Sequence, residues 1–334
     1  MGVWEYEDFA AAREEGKLRH VCVTGSWGLL SSWLVRSLLA KGYNVRSTVH
    51  TTAEEAKELM ALPGAKERLE LTQADLMDYG SLAEVFMGCY GVFHTASPSD
   101  LVSNYPPEMI DWEVRGTLNV VEACANAAVK RLVLTSSLSA MVWDHHRTPG
   151  ACIDEKCWSN LDFCRSKKLW GPLAKTMTEK AAWALARDKE LDMVVINPAI
   201  VLGPKLLTSR ASIMNYLQGM KELPQSGLFA YLHVEDLAQI HISALEITKA
   251  SGRYICYERV VSEFELVELI RKLYPERSVP SRFSKSGSPH VLTNQKLQTL
   301  GIKIQHVYSG DGVANTEERC LQNSINLEIT LSHI

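Results

Sequence analysis

Three short segments bring together residue types that can do chemistry. The first is Gly25-Ser26-Trp27-Gly28-Leu29-Leu30-Ser31, which follows directly on the β-rich run HVCVT and opens an apolar helical pattern. Glycines at such a hand-over let the chain turn tightly and let backbone N–H groups at a helix start approach an anion. Gly25 supplies the turn, Gly28 admits a diphosphate close to the backbone, and Ser31 is small enough for close packing of helix on strand. Gly25, Ser26, Gly28, Leu29 and Leu30 are therefore candidate dinucleotide-binding residues, although Trp27 is bulkier than such loops usually carry. A plain strand-to-helix turn without a ligand is the competing reading.

The second segment set lies at the ends of the next two strands. An acid closing the second strand would hold a ribose 2′-OH and select NAD, whereas a cation would accept the 2′-phosphate of NADP. Here the strand closes on Val49 and His50, with Arg46 and Lys57 nearby, so NADP(H) is favoured over NAD(H). Histidine is only partly charged near neutrality, its ordinary pKa being about 6.5. All three cations could equally be solvated surface residues. Asp75, followed by Leu76, is placed either to meet an adenine edge or to cap a helix. The third segment is Thr135-Ser136-Ser137, closing a fifth strand at the carboxyl edge, where ligands bind in open α/β sheets.

These residues need a scaffold that lines up strand ends. Runs at 20–25, 44–50, 69–75, 91–96, 131–137 and 192–198 are short and rich in Val, Leu and Thr, and helical patterns alternate with them. One such helix places Leu30, Leu34 and Leu38 on one face and ends at Gly42. Six such units with right-handed crossovers make a doubly wound Rossmann-type parallel sheet, an α/β fold. Residues 18–200 are read as the nucleotide-binding domain and 201–334 as a smaller substrate lobe, with 232–248 packing back on the sheet. Within that lobe GRYICYE (252–258) reads as a strand, FELVELIRKLYP (264–275) as a helix and 275–290 as a polar loop.

Composition sets the class. The 334 residues are 46% hydrophobic and 22% charged, which is ordinary for a globular protein, and the net charge of −4 gives no reason to expect nucleic acid as a partner. The eight cysteines form no C-x-x-C pair, so no metal site is expected and they read as reduced thiols. The charged first twenty residues and the lack of a long apolar run point to a cytoplasmic protein without a membrane partner.

Taken in order, VCVTGSWGLLSSWLV, QADL, GCYGVFHTASP, GTLNVVEAC, RLVLTSSLSA, KTMTEKAAW, INPAIVLGP and SGRYICYE resemble the extended short-chain dehydrogenase/reductases of the plant cinnamoyl-CoA reductase and dihydroflavonol reductase group, from about 20 to about 310. The resemblance implies hydride transfer from a nicotinamide to a carbonyl carbon of a small phenylpropanoid-type molecule. It implies that Ser137 hydrogen-bonds the carbonyl oxygen, that Lys175 binds the nicotinamide ribose, that Thr95, Ala96 and Ser97 line the cofactor, and that Pro198, Ala199, Ile200 and Val201 lie near the nicotinamide. In the group a tyrosine one helical turn before the lysine donates the proton and an arginine commonly stands where His50 is. Position 171 is Gly, in KLWGPLAK, so the resemblance marks a divergent branch with the tyrosine replaced.

General acid catalysis is worth about 10²–10⁴-fold, or ~3–5 kcal/mol, so turnover without the tyrosine is impaired rather than excluded. Lys175, Ser139, His145 and His146 are the candidate replacement donors. Two functions stay open: an atypical NADPH-dependent carbonyl reductase, and a catalytically silent protein that binds cofactor, a small aromatic ligand or a partner subunit and acts through that partner. A monomer, a homodimer and a pairing with an active relative are all compatible with the chain.

Overall fold

The computed structural model describes residues 19–25, 28–49, 53–97, 105–148, 150–203, 229–261, 291–302 and 304. Seven strands, β1 (His20–Thr24), β2 (Asn44–Val49), β3 (Leu69–Gln73), β4 (Gly91–His94), β5 (Arg131–Thr135), β6 (Met193–Pro198) and β7 (Gly252–Cys256), form one sheet in the order β3-β2-β1-β4-β5-β6-β7. Every pairing is parallel. The order reverses direction between β1 and β4, whose register sets Thr24 opposite His94 and leaves two strand ends side by side. That is where an open parallel sheet offers a crevice to a ligand.

Burial on both faces explains the nearly continuous apolar strands. Successive side chains of a strand point to opposite faces. Val21 and Val23 join Phe93, Val133 and Val194 under α1 (Leu29–Ala40) and α5 (Val234–Glu246), whereas Cys22 joins Val92, Leu132 and Val195 on the other face. That second face is covered by α2 (Tyr79–Phe86), α3 (Met109–Asn126) and α4 (Trp170–Asp188). Leu34 and Leu38 of α1 are fully buried, which stabilises the fold by about 1.5–3 kcal/mol per side chain. Helix α1 stops at Lys41, and Gly42 follows with φ of +86°, the left-handed residue that commonly ends a helix.

The main sheet runs past residue 200. Six strands were expected, but Gly252–Cys256 adds a seventh beside β6, with Gly252 opposite Val194 and Cys256 opposite Pro198. The helix in 232–248 is α5, which packs against α1 in the same core. Arg131 at the start of β5 anchors it, donating to the carbonyls of Ala244 (2.9 Å) and Ile247 (2.7 Å) while pairing with Asp192 (2.7 Å). A basic group at a helix C-terminus satisfies its last carbonyls. On the other side of the sheet edge, buried Glu179 of α4 pairs with Arg253 of β7 and also accepts from Ser136 Oγ (2.6 Å) and Asn197 Nδ2 (2.9 Å).

The chain between β6 and α5 continues as Ile200–Leu202, which pairs parallel with Phe229–His233, and that strand pairs antiparallel with Arg259–Val261. The helix expected at 264–275 and the loop at 275–290 lie outside the described residues. Seven cysteines are described and all are free thiols. Among the described residues no helix is long and apolar enough to cross a membrane, and no three His, Cys, Asp or Glu side chains are grouped to hold a metal ion.

Candidate active site

The phosphate loop sits at the reversal point. Gly25 follows β1 with φ of +71°, and a Cβ there would lie 2.8 Å from both Cα and Cβ of Ala96, just beyond β4. Only glycine fits a left-handed residue pressed against a neighbouring backbone. The Gly25 N–H donates to Thr48 Oγ1 (3.1 Å), tying the loop to the end of β2. Gly28 is the N-cap of α1 and has no side-chain cap, and the first turn carries no acid. Ser31 Oγ donates back to the Gly28 carbonyl at 3.0 Å, so the small residue in the third position closes the turn. Leu29 and Leu30 begin the helix and pack on the core below. A helix start with uncapped N–H groups, a glycine cradle and no acid suits a dinucleotide diphosphate. Ser26 and Trp27 lie outside the described residues.

The second strand corrects one assignment. Arg46 points away from the carboxyl edge: its Nε donates to Glu70 (2.9 Å) and its Nη1 to the carbonyls of Val85 (2.6 Å) and Met87 (3.1 Å). It sits three residues before the end of β2, on the face that α2 covers, and its Nε and Nη1 donors are used there. Arg46 is therefore a structural clamp, not a 2′-phosphate ligand. His50 lies outside the described residues, and Lys57 is exposed on the helix Ala53–Met60. Asp75 is exposed past the end of β3, where its carboxylate accepts from Met77 N–H (2.9 Å), while the cap of α2 is Asp78, which accepts from Gly80 N–H (3.0 Å). Leu76 is buried against Gly116 of α3, and its carbonyl accepts from Asn119 Nδ2 at 2.8 Å.

Past β4 the chain is locked to β1. Thr95 Oγ1 donates to the Thr24 carbonyl (2.6 Å), and Thr95 and Ala96 N–H groups reach Thr24 Oγ1 (3.3 and 3.4 Å). This lock aims Ser97 at Lys175, whose Nζ donates to Ser97 Oγ at 3.1 Å. Lys175 also forms an ion pair with Glu113 of α3 at 2.6 Å. Glu113 is buried and accepts from the Tyr105 hydroxyl at 2.7 Å. Burial pushes the Glu113 carboxyl up, but the Lys175 charge and hydrogen bonds from Lys175, Tyr105 and Ser97 outweigh it and leave the group below its ordinary range. Burial and the neighbouring carboxylate push the Tyr105 phenol up, so it stays protonated.

Gly171 lies in the first turn of α4 with Pro172 after it, and Lys175 follows one turn on. A Cβ at 171 would be 3.9 Å from Tyr105 Cβ and 4.0 Å from its Cδ2, so the Tyr105 side chain flanks the missing tyrosine's position. Ser137, beyond β5, accepts from the Ser139 N–H at 3.1 Å through its Oγ, which leaves its own hydroxyl proton to donate. Its carbonyl accepts from Asn197 Nδ2 at 3.3 Å. Pro198 accepts from Leu138 N–H (2.9 Å), and the Ala199 N–H donates to Cys256 (2.9 Å). Ile200 and Val201 then carry the chain into the small sheet.

Two of the proposed donors, His145 and His146, make their ring contacts with each other and with Phe163. His145 stacks on Phe163 at 4.9 Å and lies tilted against His146 at 3.8 Å, and both histidines are exposed in a loop. Ser139 uses its backbone N–H on Ser137. Sequence reasoning missed Tyr105, Glu113 and His94. His94 is fully enclosed, bonded to Thr24 Oγ1 (2.8 Å) and Thr117 Oγ1 (3.2 Å). Burial and the Lys175 charge lower its pKa to about 4, so it is neutral. It lines, with Glu113, Thr117, Lys175, Thr178 and Glu179, a small polar pocket behind the lysine.

A dinucleotide fold with a serine and a lysine at its carboxyl edge defines a class of nicotinamide-dependent enzymes, and comparison with known proteins agrees. The family model described as NAD dependent epimerase/dehydratase matches residues 21–257. The chain belongs to that family, in the reductase group related to cinnamoyl-CoA and dihydroflavonol reductases. It is 45% identical to cinnamoyl-CoA reductase 1 of Petunia hybrida over 296 residues, 86% of this chain and 88% of that one. It is 41% identical to tetraketide alpha-pyrone reductase 1 of Arabidopsis thaliana over 295 residues, 85% of this chain and 90% of that one. Among solved structures, vestitone reductase from alfalfa superposes with a TM-score of 0.73 at 29% identity, covering 94% of this chain and 99% of that one.

Proposed function

We propose that this chain is an NADPH-dependent reductase of a phenylpropanoid-type carbonyl, a hydroxycinnamoyl-CoA thioester, aldehyde or related aromatic ketone, working without the usual tyrosine. The observation that carries the reading is the Gly25 cradle against Ala96, joined through Thr95 and Ser97 to Lys175, in a chain 45% identical to a cinnamoyl-CoA reductase.

When bound, a reduced nicotinamide supplies the hydride for the carbonyl carbon. The α1 N-terminus and Gly25 would hold the diphosphate, and Ala96 and Ser97 would line the cofactor. The Ser137 hydroxyl donates to the carbonyl oxygen and fixes its face. The substrate is a small aromatic molecule, and the protein works in the cytoplasm alone, as a homodimer or beside an active relative.

A second reading is favoured by one observation: Lys175 is already paired with Glu113, and no hydroxyl stands at 171. On that reading the chain binds cofactor or an aromatic ligand and does not turn over. Titration with NADPH, read by quenching of tryptophan fluorescence, tests both, followed by turnover on a panel of hydroxycinnamaldehydes and CoA thioesters. The reductase reading expects saturable quenching at micromolar NADPH and measurable turnover. Quenching without turnover on the panel selects the second reading, and no saturable quenching removes the reductase reading and leaves the second one in its aromatic-ligand form.

A further inference from the structure

We propose that Lys175 is itself the proton donor of this site, oriented by the buried pair Glu113 and Tyr105, which stand in for the absent tyrosine at 171. The proposal rests on the reductase reading above.

The geometry separates the three groups by access. Tyr105 is 5% exposed, flanks Gly171, and turns its hydroxyl inward, 2.7 Å from Glu113 and 3.0 Å from the Met109 carbonyl. Glu113 is 4% exposed and uses one oxygen for Tyr105 and the other for Lys175. The Lys175 side chain is 18% exposed and is the member of the chain that reaches solvent. An ammonium has three N–H bonds. Those of Lys175 to Glu113 (2.6 Å) and Ser97 (3.1 Å) take two, leaving a third for a ligand held beside Ser97.

The step balances simply. Hydride from the reduced nicotinamide forms the new C–H bond, the carbonyl π pair moves to oxygen, and that oxygen takes a proton as a Lys175 N–H bond breaks. The neutral amine regains a proton from water. Glu113 holds and orients the lysine between turnovers through a charge-assisted contact of 2.6 Å. The other groups facing Lys175 are Tyr105, which stays a phenol, His94 from β4, neutral above about pH 4, and Glu179 of the same helix, paired with Arg253. Glu113 is thus the negative charge that Lys175 pairs with, and it is a positioning residue.

The test uses the full chain and four variants. Glu113→Gln keeps the shape and removes the charge. It should move the alkaline limb of the turnover profile at least one pH unit lower, and move the alkaline titration of the Lys175 signal in the same direction, read by NMR after reductive ¹³C-methylation and assigned with Lys175→Arg. Lys175→Met should abolish turnover, while Tyr105→Phe should lower kcat several-fold and retain the limb. An unmoved limb and signal in Glu113→Gln overturn the proposal, as does Tyr105→Phe as dead as Lys175→Met. A wild type with no saturable NADPH quenching fails the reductase reading and the proposal with it; saturable quenching with an unmoved limb fails the proposal alone.

Discussion

Gly25 is the residue on which the nucleotide cradle turns, and replacing it with alanine isolates that role. The backbone there has φ of +71°, and an L side chain in the left-handed region costs about 1–2 kcal/mol. The added Cβ would also stand 2.8 Å from Cα and Cβ of Ala96, a contact with backbone rather than with a side-chain tip that can swing away. Thr24, directly before Gly25, is paired in register with His94, two residues before Ala96, so neither strand end can retreat without loosening the sheet. Overpacking of this kind costs about 1–3 kcal/mol more. The expected total is about 2–5 kcal/mol, within the ~5–15 kcal/mol stability of a typical protein, so the variant folds.

Gly42→Ala supplies the control. Its φ is +86°, and no atom lies within 4 Å of the added Cβ. It should cost only the conformational part, about 1–2 kcal/mol. At about 2 °C per kcal/mol for a chain of this size, Gly25→Ala should melt roughly 4–10 °C below wild type and Gly42→Ala roughly 2–4 °C below. NADPH affinity should fall at least tenfold in Gly25→Ala and hold in Gly42→Ala. Equal melting of the two variants, with NADPH quenching of Gly25→Ala intact, would refute the reasoning.

Three further outcomes follow from other contacts. Arg46→Ala should lower the melting temperature, by the equivalent of about 1–3 kcal/mol, and leave NADPH affinity unchanged; weaker NADPH binding would return Arg46 to the phosphate. His94 and His241 are both buried, with pKa lowered to about 4 from the ordinary 6.5. Unfolded histidines bind the extra protons, so the stability each provides, up to about 3 kcal/mol, is complete above pH 6.5 and lost as pH falls toward 4. Thermal melts between pH 7.5 and 4.5 should show that loss, and a flat profile would contradict it. Gly171→Ala should raise stability by up to about 1 kcal/mol, because the helix is regular there and the new Cβ meets Tyr105 only at ordinary contact distance. A lower melting temperature would mean that Tyr105 packs more tightly on the helix than this.

Strands were readable where apolar runs met turn residues, because strands buried on both faces leave that mark. The expected runs overshoot at their carboxyl ends: 91–96 against Gly91–His94, and 131–137 against Arg131–Thr135. The excess residues, Thr95, Ala96, Ser136 and Ser137, lie outside the strands and bond to other parts of the ligand edge. Arg46 was misread because sequence distance to a strand end says nothing about the face a residue takes; one step along a strand reverses it. The seventh strand was visible as a strand, and its place beside β6 was not, since pairing is a long-range choice.

What the chain alone determined about this protein is local. Turn glycines, apolar periodicity and the spacing of Gly171, Pro172 and Lys175 are set by backbone sterics and by 3.6-residue geometry, which act between near neighbours. The tertiary structure decided what Lys175 faces. Glu113 and Tyr105 lie far from it in sequence, with no motif to mark them, and a buried carboxylate becomes significant only when an ammonium is brought within 2.6 Å of it. Charge interactions depend on distance and on burial, and neither exists until the sheet has set α3 beside α4.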